Sequence, residues 1–205
     1  MKFRCPVILA SSSPRRKELL AGMGIEFTVC PAAVEEIGPD TSCPASETAL
    51  ANAVLKAKAV AALHGDALVI GSDTIVVCDG RIFGKPRSES EALSMLETLS
   101  GREHEVMSGV ALVREKEGLE RSFVEVSRVT FKTLTGAAIC EYMAKVNVMD
   151  KAGAYAIQEH AELILESLDG PLSNVIGLPV EALRRELLLT GLVLPEGPER
   201  NPRFF

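Results

Sequence analysis

The sequence predicts an α/β fold, a mixed sheet flanked by helices. Three observations carry that prediction. Strand-like and helix-like segments interleave along the chain, which is the pattern of helices packed on a sheet. One stretch, ALVIGSDTIVVCDGRIFGKP (residues 67–86), turns back on itself at Asp79–Gly80, so at least one pair of strands is antiparallel. Composition is that of an ordinary globular chain, 47% hydrophobic and 24% charged, and 205 residues suffice for one domain or two tightly joined lobes.

In order, KFRCPVILA (residues 2–10) reads as the first strand. Ser13 as N-cap, Pro14 as first helical residue and Gly22 or Gly24 as stop frame the first helix. A short strand in IEFTVC leads to a polar loop with Glu35 and Glu36. Ser46 and Glu47 open a long alanine-rich helix through Leu63. After the hairpin, Ser88 and Glu91 have capping-box spacing ahead of a helix stopped by Gly101. Residues 104–115 and 122–134 alternate as strands across a charged turn, and Thr135 caps the next helix. A glycine- and alanine-rich connector, DKAGAYAIQ (residues 150–158), precedes a strand in ELILESLDG and a last helix stopped by Gly191. Residues 195–205 read as a poorly ordered tail.

Composition excludes several classes. A net charge of −6 argues against a protein that coats a nucleic acid polymer. No apolar run approaches the ~20 residues of a membrane span, and residues 1–7 are too short and polar for a secretory signal. A cytoplasmic protein is expected. The five scattered cysteines form no CxxC pair, and the three histidines have no ligand spacing.

Charge placement suggests chemistry. Arg15, Arg16 and Lys17 stand in the first turn of a helix, where the macrodipole disfavours cations by about 0.3–1 kcal/mol each. An anion at that turn would reverse the sign. Asp73 lies inside an apolar strand, where an ionised carboxylate must be paired or metal-bound. Lys85 follows the hairpin and can be returned toward it. Lys56 and Lys58, two apart on a helix, point different ways, so one at most faces a site. A serine-rich turn with cations, a buried Asp, an acidic loop and dispersed lysines suit a polyphosphate handled with a divalent metal. Neither a Walker A sequence nor G-x-G-x-x-G occurs.

LASSSPRRKELL, GSDTIVV, FGKP, LSGREHEVMSGVAL and DKAGAYAIQ together resemble the Maf family of nucleoside triphosphate pyrophosphatases, over residues 7–187. The resemblance implies hydrolysis of a nucleoside triphosphate to the monophosphate and pyrophosphate, with Mg²⁺ or Mn²⁺. It implies an inosine triphosphatase-like fold, two lobes around a cleft within residues 1–194, and a homodimer. By the same resemblance Asp73 is the proton acceptor, and the family's acidic, lysine and arginine positions fall on Glu36, Lys56, Lys85, Arg15 and Arg16. In the mechanism this suggests, Asp73 and Glu36 hold the metal, with Asp73 chiefly either its ligand or the base. Lys56 and Lys85 stabilise charge, and Ser11, Ser13, Arg15 and Arg16 bind phosphate. Val54 and Leu55 precede Lys56 where the family pattern has Arg-Glu.

Base preference within the family divides on three positions, which here hold Arg15, Thr74 and Gln158, as in the dTTP/UTP branch. A Gln amide offers one acceptor and one donor group to a pyrimidine imide edge. A glutamate suits the paired N–H donors of guanine. The 7-methyl-GTP branch, and a non-catalytic nucleotide sensor acting on septum formation through a cell-division protein, are the alternatives.

Overall fold

The computed structural model describes residues 1–39 and 42–194. Strand β3 (Leu68–Cys78) is the spine of a seven-stranded mixed sheet. One edge of β3 pairs antiparallel with β5 (Glu103–Arg114), followed outward by β6 (Leu119–Phe131) and β7 (Leu165–Asp169), all antiparallel. The other edge carries β1 (Val7–Leu9), itself parallel to β2 (Thr28–Val29), and further along β4 (Arg81–Phe83). Parallel neighbours need crossovers, and α1 (Pro14–Gly22) and α2 (Ala45–Ala61) supply them. Asp79 and Gly80, both at positive φ (50° and 77°), make the tight β3–β4 turn expected of Asp-Gly.

Side chains alternate along β3. Val69, Ile75 and Val77 pack beneath α2, against Ala49, Ala53 and Ala57. Leu68 and Ile70 belong to an apolar core with β1, α1 and α7 (Val180–Leu189). Val76 and Cys78 belong to a second core on the same face, with α3 (Glu89–Leu99) and α4 (Gly136–Lys145). A polar seam divides the two cores. Ser72, Ser108, Ser127 and Asn174 are fully or almost fully buried there and bonded to one another or to backbone. Asn174 comes from α6 (Leu172–Ile176), preceded by the one-turn helix α5 (Ala161–Ile164).

Two glycines let α2 down onto the sheet. A Cβ at Gly71 would lie 2.3 Å from the carbonyl oxygen of Ala53, and one at Gly109 would lie 2.3 Å from that of Ala49. Gly109 is the cross-strand partner of Asp73. The close approach therefore occurs at the one carboxylate in β3.

Several local expectations differ from the structure. The first strand is three residues long, with Phe3 bridging only to Val193. Ser46 lies inside α2, because Pro44 takes the N-cap position with its extended backbone. Ser13 occupies its N-cap position without a side-chain cap bond. Ser88 and Thr135 do cap their helices, accepting from the N–H groups of Glu91 and Ala138. The Glu91 carboxylate accepts from Arg87 rather than from the N-cap residue. The charged turn is a 3₁₀ turn at Glu115–Glu117, so β6 starts at Leu119. Helix α6 has no counterpart in the sequence reading. The tail at 195–205 lies outside the described residues. No helix among them is long and apolar enough to cross a membrane.

Candidate active site

Strands β1 and β4 share one edge of β3 but do not meet: β1 pairs with residues 68–70 and β4 with residues 76–78. Between them Asp73, Thr74 and Ile75 line a cleft of about 500 Å³.

Asp73 and Lys56 are each 7% exposed, so neither charge can stand there unpaired. Lys56 Nζ donates to Asp73 Oδ1 at 2.7 Å and lies 2.9 Å from Glu36 Oε1. Asp73 Oδ2 accepts from Asn52 Nδ2 at 3.1 Å. Thr48, Asn52 and Lys56 are spaced i, i+4 and form a polar stripe on α2 beside the alanine stripe that touches the sheet. Lys58 points away, to Glu120.

Arg15 and Arg16 of α1 line the opposite wall, whereas Lys17 does not line the cleft. Arg16 donates through Nε to Gly177 O (2.9 Å), through Nη1 to Ser11 Oγ (3.2 Å) and through Nη2 to Thr74 Oγ1 (3.1 Å). Desolvation lowers its pKa, with the fields of Asp73 and Glu36 acting the other way. Arg15 reaches both the Asp150 carboxylate (3.1 Å) and its carbonyl (3.2 Å). Asp150 also accepts from the buried Lys151 at 2.9 Å. Burial opposes ionisation of Asp150, but Lys151 and Arg15 outweigh it and hold its pKa below the usual carboxylate value. The counter-charge of Arg15 arrives from 135 residues away.

Connector residues 150–158 form the remaining wall. Tyr142 Oη donates to Ala156 O and accepts from Ala156 N, pinning the connector to α4. Gly153, at φ 69°, sits against Val76 of β3. Tyr155 stacks edge-on with Phe131 and His104, and its hydroxyl lies 3.0 Å from His104 Nε2. Burial lowers the His104 pKa to about 4. Gln158 is exposed at the cleft, as is Lys85 after β4, which has no hydrogen bond or ion pair to any described residue.

A family model described as Maf-like protein matches residues 6–189. The chain belongs to the Maf family. Among similar Maf-family proteins is the dTTP/UTP pyrophosphatase of Akkermansia muciniphila, 50% identical over 175 residues, 85% of this chain and 91% of that one. The dTTP/UTP pyrophosphatases of Moorella thermoacetica and Carboxydothermus hydrogenoformans are 44% and 45% identical. They cover 91% and 88% of this chain, and 95% and 96% of their own lengths. Among solved structures, the Staphylococcus aureus Ham1 protein is a loose likeness. Its TM-score is 0.49 at 12% identity, over 91% of this chain and 99% of that one.

All ten residues singled out in the Maf-like sequence line this one cleft: Ser11, Ser13, Arg15, Arg16, Glu36, Lys56, Asp73, Thr74, Lys85 and Gln158. The Thr74 hydroxyl is engaged by Arg16, Ser108 (2.8 Å) and Gly177 O (3.3 Å), so it braces Arg16 at the cleft floor. Asn52, Asp150, Lys151, Tyr155 and Gly177 also belong to the site and were not singled out. The signals that could have found them are the i, i+4 spacing of Thr48, Asn52 and Lys56 and the charged pair Asp150–Lys151 at the head of DKAGAYAIQ.

Proposed function

We propose that this protein hydrolyses dTTP and UTP, and modified pyrimidine nucleotides of the same imide edge, to the monophosphate and pyrophosphate. The carrying observation is the buried Asp73 at an open strand edge, bonded by Lys56 and Asn52, in a cleft walled by Arg15, Arg16 and Lys85. A water held at Asp73 loses its proton to that carboxylate as it attacks the triphosphate. Negative charge then grows on the departing pyrophosphate. Lys85, which has no partner among the described residues, and Lys56 stabilise that charge. The Ser11–Ser13 turn and the N-terminus of α1 receive phosphate oxygens. Arg16 is held ready by Gly177, Ser11 and Thr74, and Arg15 exchanges the Asp150 carboxylate for phosphate.

Among the described residues no group of three or more His, Cys, Asp or Glu could hold a metal. Two carboxylates, Asp73 and Glu36, nevertheless converge on the single ammonium of Lys56. Two carboxylates completed by substrate phosphates and water suit Mg²⁺ or Mn²⁺ better than an all-protein cage does. When bound there, the ion supplies Lewis-acid polarisation of the phosphoanhydride. Gln158, exposed on the connector, reads the base. The same reading makes residues 1–194 one two-lobed unit about the polar seam, acting as a homodimer in the cytoplasm.

Pyrophosphate release over dTTP, UTP, the other common triphosphates and 7-methyl-GTP, with Mg²⁺ or Mn²⁺, tests this. Turnover led by dTTP and UTP is expected. Turnover led by 7-methyl-GTP would refute the base assignment. Binding without turnover would favour a sensor that acts through a cell-division protein.

A further inference from the structure

Asn52 sits in the middle of α2, where asparagine costs about 0.7 kcal/mol relative to alanine, and it is 2% exposed. Its amide makes three hydrogen bonds to two separate parts of the site. Oδ1 accepts from the backbone N–H of Ile37 at 2.8 Å, and Nδ2 donates to the carbonyl of the same residue at 3.1 Å. The second N–H of that amide goes to Asp73 Oδ2 at 3.1 Å. Chemistry fixes the amide's orientation, since a flip would set Oδ1 against a carbonyl and a carboxylate. Ile37 follows Glu36, whose own carboxylate ends on the ammonium that also holds Asp73.

We propose that Asn52 is a positioning residue that clamps the acidic loop bearing Glu36 to the Asp73 carboxylate, so that the two acidic groups keep a fixed separation during hydrolysis. This rests on the reading of Asp73 and Glu36 given above. Lys56 alone cannot perform the task, because a flexible ammonium follows wherever the carboxylates move. The planar amide, gripping both backbone groups of one residue, sets distance and direction. A leucine of similar size would leave Asp73 Oδ2 without its amide donor and the Ile37 backbone without either partner.

Two variants of the full chain test this. In Asn52→Leu, kcat for dTTP should fall about 10–100-fold, as for loss of a residue supporting a ligand or base. KM should stay near wild type, and the Ile37 amide should lose protection in hydrogen exchange. Asn52→Asp keeps an acceptor for the Ile37 N–H but sets a second carboxylate against Asp73 Oδ2 in place of the amide donor. Its Ile37 amide should stay protected while kcat falls as in the leucine variant. Wild-type kcat in either variant, or a still-protected Ile37 amide in Asn52→Leu, would overturn the proposal. Failure of the wild-type chain to hydrolyse dTTP would overturn the parent reading instead, whereas the exchange result stands apart from it.

Discussion

Substituting Gly109 by alanine adds one methyl group on the strand beside Asp73, on the α2 face of the sheet that also carries the Asp73 side chain. That Cβ would lie 2.3 Å from the carbonyl oxygen of Ala49, against backbone atoms that no rotamer change can move, and real Cβ atoms essentially never approach below 3.0 Å. Helix α2 must therefore retreat by about 0.7 Å along that direction. A rigid retreat would lengthen the Asn52–Asp73 bond from 3.1 Å by up to about 0.7 Å, while the longer Lys56 side chain can follow its partner. Overpacking of this kind costs about 1–3 kcal/mol. In a chain of this size that lowers the melting temperature by roughly 2–4 °C per kcal/mol. Misplacement of a catalytic group approaching 1 Å costs up to ~100-fold in rate. Gly109→Ala should thus melt several degrees lower and release pyrophosphate from dTTP about 10–100 times more slowly, measured well below its melting point. Wild-type turnover in a variant that melts normally would show that α2 does not depend on this glycine to reach Asp73.

Two further outcomes concern His104 and Gln158. His104 titrates near 6.5 in an unfolded chain and about 4 in the folded one. The unfolded chain therefore takes up the proton first as pH falls. Stability is complete above pH 6.5 and drops by about 3 kcal/mol on going down to pH 4. Urea unfolding at several pH values should show this loss, and His104→Phe should flatten it while weakening the fold at pH 7 through the lost Tyr155 bond; an equally steep loss in that variant would assign it to other groups. Gln158→Glu should shift the ratio of turnover away from dTTP and UTP toward 7-methyl-GTP, and an unchanged ratio would show that Gln158 does not read the base.

Much of the site could be read before any coordinates. Asp73 announced itself because a carboxylate in an apolar strand is costly, and the Asp-Gly turn foretold the hairpin that returns Lys85. Caps at Ser88 and Thr135 depend on residues three apart and were equally legible. What escaped depends on distant parts of the chain. Arg15 meets Asp150 only after the sheet has brought the connector beside α1. Asn52 looks like a solvated helix residue until two glycines on neighbouring strands, Gly71 and Gly109, let α2 settle onto β3. Register between β3 and β5 creates that approach, and register is not written in either strand alone. Helix α6, five residues long, is too short for a periodic signal, although its Asn174 anchors the polar seam.

The central claim is that the Asp73 carboxylate removes a proton during attack on a nucleoside triphosphate. Asp73→Asn keeps the shape and abolishes the base, so the direct measurement is its rate of pyrophosphate release from dTTP with Mg²⁺, beside wild type. Turnover should fall at least ~100-fold with the fold intact by circular dichroism. A folded variant that turns over dTTP at near the wild-type rate would contradict the account.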